Sequence, residues 1–264
     1  MTERVGETPD GERWIADVFC TKGKAKIAVE IQWSPQTETE FKRRQMKYNA
    51  SGVRTAWLYK LRRNQDYLPT VYEFPAFGIQ IKSDSGEMSV PQFDLSIDEF
   101  VRGMFEGKLR WRPKQNEKLI GRLITDYNQC WRCKRKTRVI LGIGIYDKEG
   151  INLSCRYFHD DEISVPHFIL QHVGNSELAK NKIAPIKRRF SNTMQEAYLS
   201  NGCFHCYAIQ GQWFLLHEWI DSVYSESNKL IMDFSFINGQ KNFHVEGNWY
   251  FGQIPMRSFR RFWK

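Results

Sequence analysis

Four cysteines constrain the fold of this chain more than any other feature. Cys130-Trp-Arg-Cys133 and Cys203-Phe-His-Cys206 are two CxxC pairs, a spacing that lets both thiolates of a pair face one tetrahedral metal ion. About seventy residues separate them, long for a zinc ribbon, so the fold has to carry the second knuckle back to the first. Together the pairs supply four thiolates, which closes the coordination shell and leaves no open position for a catalytic water. A structural Zn²⁺ held by Cys130, Cys133, Cys203 and Cys206 is the expectation, and four unrelated buried thiols are the alternative. His205, inside the second knuckle, is a substitute ligand of lesser weight. The sequence opens with the polar stretch MTERVGETPDGER, without the apolar core of an export signal. A cytoplasmic location with reduced thiols is therefore expected, and the remaining Cys20 and Cys155 read as small buried apolar residues.

With 264 residues, 41% of them hydrophobic and 26% charged, the chain is globular rather than disordered and is long enough for two cores. No apolar run approaches the roughly 20 residues of a membrane helix, so no membrane partner is expected. The formal charge of +9 favours a polyanion. Between Lys108 and Arg138 stand eleven basic residues against Glu117 and Asp126, a local excess equal to the whole surplus. Trp111 and Trp131 interleave with them and offer faces on which bases stack, whereas a solvated face is the plain alternative. The rise in charge near 112–118 marks the expected boundary between a domain at 1–112 and a basic one at 113–264.

Residues 13–20 and 25–32 read as strands joined by a turn at 21–24. A helix follows over 37–50, ended by Ser51-Gly52, and then a strand over 54–61. The order β-β-α-β implies a mixed sheet crossed by a helix, an α/β arrangement. Side chains alternate along a strand, so Glu30 and Gln32 share one face. Pairing as a hairpin brings Asp17 near Glu30, and two converging carboxylates can hold Mg²⁺ or Mn²⁺ and activate water. Three polar residues on a solvated sheet face would give the same pattern. Farther along, short strands are expected at 70–74 and 77–82, a helix with a capping box from Ser96 to about Glu106, a strand over 139–147, a helix over 176–200 and a strand around 209–216. Gly142-Ile143-Gly144 lacks the third glycine and following helix of a dinucleotide loop. His159-Asp160-Asp161-Glu162 reads as a solvated turn, and the tail from Arg257 to Lys264 mixes cations with aromatics.

The segment Asp17-Val18, Glu30-Ile31-Gln32 with Ser34, Arg44 with Tyr48 one helical turn on, and Trp57-Leu58 in the next strand resembles the CoiA-like competence nucleases, a branch of the PD-(D/E)XK superfamily. The resemblance covers residues 13–61 well. It implies an α/β fold, with a PD-(D/E)XK-like mixed-sheet nuclease core followed by an α+β C-terminal region containing a zinc ribbon. It further implies metal-dependent hydrolysis of DNA phosphodiesters, with Asp17 and Glu30 as Mg²⁺ or Mn²⁺ ligands and Gln32 where most of the superfamily has lysine. A glutamine can orient water or phosphate but supplies no charge; Lys42 or Lys47 is the expected compensation. Arg44 and Tyr48 suit phosphate binding or bracing of the sheet, and Lys134, Arg135 and Lys136 suit phosphate contacts beside the cysteines. The superfamily core opens with a helix, and Pro9 and Gly11 disfavour one before Asp17. That helix is expected to be missing, replaced from elsewhere in the chain, or donated by a protein partner or second copy. A zinc-containing nucleic-acid-binding protein on a degenerate nuclease core, or a subunit of a DNA-processing or defence complex, is the alternative function.

Overall fold

The computed structural model describes residues 3–62, 67, 68, 70–160, 164–224, 229–240 and 243–256. Asp161, Glu162 and the tail from Arg257 lie outside them. The chain forms two compact units, one of residues up to Arg112 with those from Gly247 onward, the other Pro113–Glu246. Among the described residues no helix is long and apolar enough to cross a membrane.

In the first unit a short hairpin, β1 (Arg4–Glu7) and β2 (Arg13–Ala16), occupies the stretch where the superfamily's opening helix was not expected to form. A bend at Asp17 then divides the expected strand 13–20 and starts β3 (Val18–Lys22), which turns through Gly23 into β4 (Ala25–Gln32). Gly23 sits at φ +59°, a conformation that costs other residues. Helix α1 (Glu38–Ala50) crosses over to β5 (Arg54–Lys60), parallel to β4. Thr37 caps α1, accepting from the Glu40 amide at 3.2 Å, and Gly52 at φ +64° closes it. Next come β6 (Ala76–Ile81), β7 (Met88–Val90), β8 (Leu95–Ser96) and α2 (Ile97–Phe105), and the strands complete a six-stranded mixed sheet in the order β3-β4-β5-β6-β7-β8. The Ser96/Glu99 capping box forms as expected.

Strand β5 is buried on both faces, as a central parallel strand should be. Trp57 and Tyr59 pack with Phe41, Tyr48 and Phe74 on the α1 side. Leu58 faces the other way, with Phe77, Phe93 and Phe100 of the α2 side. Strand β9 (Leu109–Arg112) pairs with Asn248–Phe251, which returns to this unit although sequence reasoning placed it with the C-terminal region. Trp111 packs edge-on against Trp249, with ring centroids 5.5 Å apart, so it joins an aromatic cluster and is no free stacking platform. Residues 70–74 make a tight turn closed by an isolated Val71–Phe74 bridge rather than a strand.

The second unit is built on a long antiparallel hairpin, β10 (Lys118–Gln129) and β11 (Lys136–Tyr146), flanked by β12 (Asn152–Tyr157) and, on the β10 side, by the later strand Lys229–Ile237. Helices α3 (Val165–His172) and α4 (Gly174–Lys180) precede a hairpin of β13 (Lys187–Ser191) and β14 (Glu196–Ser200). The helix expected over 176–200 therefore ends at Lys180. Lys182 turns to φ +57° and Pro185 follows, which an α-helix does not tolerate in its interior. The strand expected at 209–216 is instead the start of α5 (Gln212–Tyr224), ahead of β15 (Lys229–Ile237). Leu215 and Trp219, four apart, pack on Ile124, Val139 and Leu141 of the sheet, and a short apolar run cannot tell those two outcomes apart. The basic stretch is divided, with Lys108, Arg110 and Arg112 in the first unit and the rest in the second. Cys20 and Cys155 are half-buried rather than fully enclosed.

Candidate active site and candidate metal centre

The β3–β4 register pairs Val18 with Val29, which brings Asp17 opposite Glu30 where the ladder ends. The Asp17 carboxylate accepts the Ile31 amide at 2.7 Å and closes the end of the strand. Ile31 points away and is 47% exposed. Glu30 faces α1 and is almost wholly buried, 1% exposed. One of its oxygens takes the Arg44 guanidinium and the other the Tyr48 hydroxyl. That hydroxyl also lies 2.8 Å from the Ile15 carbonyl, so Tyr48 braces β2 against β4 from below the site. Arg44 reaches Gln32 as well, donating to its Oε1 at 3.3 Å, and stacks on Trp57 with 4.9 Å from Cζ to the ring centroid. Gln32 turns its amide NH₂ to the Ser34 carbonyl at 2.7 Å. Thus Asp17, Glu30, Gln32, Arg44 and Tyr48 converge on one patch at the carboxyl end of β4. The predicted compensating lysines do not join them. Lys42 pairs with Glu38 on an exposed turn, and Lys47 with Glu12 and the Arg13 carbonyl.

Burial pushes the Glu30 carboxyl above its ordinary value; the Tyr48 hydroxyl and the Arg44 charge pull it back, and the adjacent Asp17 carboxylate pushes it up again. The same burial, with the Glu30 carboxylate beside it, raises Tyr48 well above the usual phenol range. Two carboxylates with unequal environments share the site, one buried and countered by a cation, one exposed. Sequence reasoning missed Gln45, whose Oε1 accepts from Thr55 Oγ1 at 2.6 Å and Trp57 Nε1 at 2.7 Å and so pins α1 to β5. It also missed Trp33 and Lys60. Trp33 follows the site strand directly, is 44% exposed, and carries the Lys60 ammonium 5.0 Å above its ring. Both stand at the carboxyl ends of parallel strands, where α/β sheets take ligands; an aromatic next to Glu-x-Gln was the available signal.

In the second unit all four cysteines of the CxxC pairs come together, their sulfurs within 4.8 Å of one another. Cys130 and Cys206 lie 3.7 Å apart, and Cys133 and Cys203 3.6 Å. A tetrahedron with metal–sulfur bonds of about 2.3 Å has edges of about 3.8 Å, so the spacing and the soft donor set fit Zn²⁺. The two knuckles repeat one backbone form. Cys130 N donates to Arg135 O and Lys134 N returns to Cys130 O, both 2.9 Å; Cys203 N donates to Ala208 O at 2.8 Å and Tyr207 N returns to Cys203 O at 2.9 Å. Lys134 and Tyr207 take matching positive φ of 59° and 58°. Burial disfavours the Cys130 thiolate, but the Cys133 and Arg132 amides and the neighbouring thiols outweigh it and bring its pKa to about 6. His205 turns away to the Lys136 carbonyl at 3.1 Å. Asn201 ties the second knuckle to the sheet, bonding both the amide and the carbonyl of Ile140 at 3.0 and 2.8 Å. Lys134, Arg135 and Lys136 are exposed. Lys136 and Arg138 both lie against the Tyr127 ring, at 4.6 and 4.5 Å, and Trp131 is 59% exposed.

Comparison with known proteins gives one family. Residues 13–102 match the model of the competence protein CoiA nuclease-like domain, about a third of the chain, running from β2 into α2 and well past the stretch that carried the resemblance in sequence. No curated protein and no solved structure matches the chain. The matched segment contains Asp17, Glu30, Gln32, Arg44 and Tyr48, and over that segment the chain is similar to the CoiA nuclease-like domain.

Proposed function

We propose that this protein is a divalent-metal-dependent endonuclease hydrolysing DNA phosphodiester bonds, with Asp17 and Glu30 as ligands of Mg²⁺ or Mn²⁺ on a PD-(D/E)XK-like core. The observation that carries the proposal is the convergence of both carboxylates with Gln32 and Arg44 inside the nuclease-like segment. Magnesium is commonly held by one or two carboxylates, with waters and substrate phosphate filling the rest of its shell, so this pair fits it. When bound, the ion supplies an activated water and neutralises charge developing on the phosphate. Asp17 is exposed and is anchored through one oxygen by the Ile31 amide. Tyr48 fixes Glu30, Gln32 orients water or phosphate by hydrogen bonding, and Arg44 meets a phosphate oxygen. In the C-terminal region Cys130, Cys133, Cys203 and Cys206 bind structural Zn²⁺, which fastens the two knuckles and presents Lys134, Arg135 and Lys136 to the nucleic-acid backbone.

A second reading has its own support. Both Glu30 oxygens are already engaged by Arg44 and Tyr48, and Gln32 brings no charge. This favours a degenerate core that binds nucleic acid, or a subunit that needs a protein partner. Incubation of the purified chain with supercoiled plasmid, linear duplex and single-stranded DNA, with Mg²⁺, Mn²⁺ or neither, separates the two. Cleavage that disappears in Asp17→Ala and in Glu30→Ala supports the enzyme. Cleavage that survives both variants removes the site, and salt-dependent binding without cleavage favours the second reading.

A further inference from the structure

A pocket of about 370 Å³ opens between β2 and α1, adjoining the carboxylate site through Arg44 and Tyr48. That volume is at the lower end of the range for ligand sites, roughly 300–1,000 Å³, enough for a sugar-phosphate. Its wall carries four cations, Arg13, Arg43, Arg44 and Lys47. Three of them have carboxylate partners, namely Glu40 for Arg43, Glu30 for Arg44 and Glu12 for Lys47. Arg13 has none among the described residues. The Arg43–Glu40 and Lys47–Glu12 pairs involve exposed partners, and such pairs hold weakly enough to be exchanged for a better anion. Gln36 adds a side-chain oxygen that is buried without a hydrogen-bond partner, so its amide can turn either its oxygen or its NH₂ to an incoming group. A half-open cleft with a guanidinium that has no ion pair among the described residues and an unsatisfied amide oxygen suits an anion that also carries polar substituents.

We infer that this pocket binds a backbone phosphate of the nucleic-acid strand next to the phosphate at the Asp17/Glu30 site, with Arg13 and Arg43 as its principal donors and Gln36 on the attached sugar. The identity of the ligand rests on the nuclease reading; the anion site rests on the pocket itself. Arg44 forms the wall shared by the two sites, so a strand crossing from one to the other keeps consecutive phosphates on α1. The pocket thereby fixes the register of the strand, which the carboxylates alone do not.

The test is binding of a fluorescein-labelled single-stranded oligonucleotide to the full-length Asp17→Ala protein without added divalent ions, followed by anisotropy over a range of salt concentrations. Arg13→Ala and Arg43→Ala should each weaken binding about tenfold, since a charge-assisted bond is lost. Each should also lower the slope of log affinity against log salt by about 0.7. Lys82→Ala, an exposed cation elsewhere in the same unit, should change neither. Equal affinity for 5′-phosphorylated and 5′-hydroxyl oligonucleotides supports an internal phosphate, and tighter binding of the phosphorylated end supports the same pocket holding a terminal one. Affinities and salt slopes of Arg13→Ala and Arg43→Ala that equal those of Lys82→Ala overturn the inference, as does a parent protein that does not bind. Cleavage is scored separately: if the wild type never cuts DNA while Arg13 and Arg43 still govern binding, the nuclease reading falls and the phosphate pocket stands.

Discussion

Replacing Gln45 with leucine should destabilise the first unit far more than its place on a polar helix suggests. Gln45 is 5% exposed, and its Oε1 is the acceptor for two buried donors, Trp57 Nε1 and Thr55 Oγ1, on residues that are 0% and 7% exposed. Leucine fills a similar volume and accepts from neither. The Trp57 indole N–H is fixed by its ring and has nowhere else to turn, which costs about 1–3 kcal/mol. The Thr55 hydroxyl can rotate and loses less. The third bond, from Gln45 Nε2 to the exposed Asn49 at 2.8 Å, is replaced by water. The sum is about 2–4 kcal/mol, and for a domain of this size that lowers the melting temperature by at least about 5 °C. Thermal unfolding of the full chain measures the total, and hydrogen exchange read over β5 and β11 locates it, with protection falling in β5 alone. Gln45→Glu is the informative control. A protonated glutamic acid keeps the acceptor oxygen, so this variant should melt near the parent at acidic pH and fall toward Gln45→Leu as pH rises and burial penalises the charge. A Gln45→Leu protein that melts within about 1 °C of the parent, or loses protection equally in β11, would refute the two-donor account.

Three further outcomes are expected. Metal analysis of the purified protein should find about one zinc per chain, as a single four-cysteine site requires, and Cys203→Ser should lose it together with the protection of β10 and β11; a parent that holds no zinc refutes the site. Asn201→Ala removes the partners of both the amide and the carbonyl of buried Ile140; urea unfolding should show a loss of about 2–4 kcal/mol, and a loss below about 0.5 would mean that water or a shifted backbone replaces the side chain. At the start of α2 the Ser96 hydroxyl, then its amide, holds the Glu99 carboxyl below its ordinary 4.5. The capping contribution is therefore complete above that pH and disappears as pH falls through the lowered value, so amide protection at the first turn of α2, corrected for the intrinsic exchange rate, should fall as pH drops below 4.5 in the parent and show no such step in Glu99→Gln.

The parts of the site that were legible in sequence are those built by neighbouring residues. The hairpin of β3 and β4 and the crossover through α1 lie within fifty residues, so alternation along β4 already put Glu30 with Gln32 on one strand face and the one-turn spacing put Arg44 with Tyr48 on one helix face, which the structure then sets against each other. The cysteine knuckles were legible for a different reason, because their chemistry demands closure whatever the fold between them. Nothing local announces the return of Asn248–Phe251 to β9, a pairing across well over a hundred residues, and Trp111 looked like a stacking platform because its partner Trp249 is so distant in sequence. Gln45 and Asn201 read as ordinary polar residues, since a side chain that serves as someone else's hydrogen-bond partner has no pattern of its own. Residues 187–200 contain good helix formers, yet the β13–β14 pairing and Pro185 overrule that propensity.

The Arg44–Glu30 pair decides how the two sites in the first unit relate. Glu30 is 1% exposed and its carboxyl is pushed toward neutrality by burial, so it stays available as a carboxylate through Tyr48 and Arg44. A divalent ion that takes the Arg44-bound oxygen gains a ligand but strips a half-buried guanidinium of its counter-charge, and breaking one side of such a pair is costly. That cost shrinks if the displaced guanidinium finds another anion within reach of its present place, and Arg44 lines the pocket whose other cations are Arg13, Arg43 and Lys47. Were a phosphate there to draw Arg44 away, Glu30 would be freed to hold an ion, and by reciprocity an ion held on Glu30 would free Arg44. In the proposed enzyme, metal and strand would thus favour each other's binding.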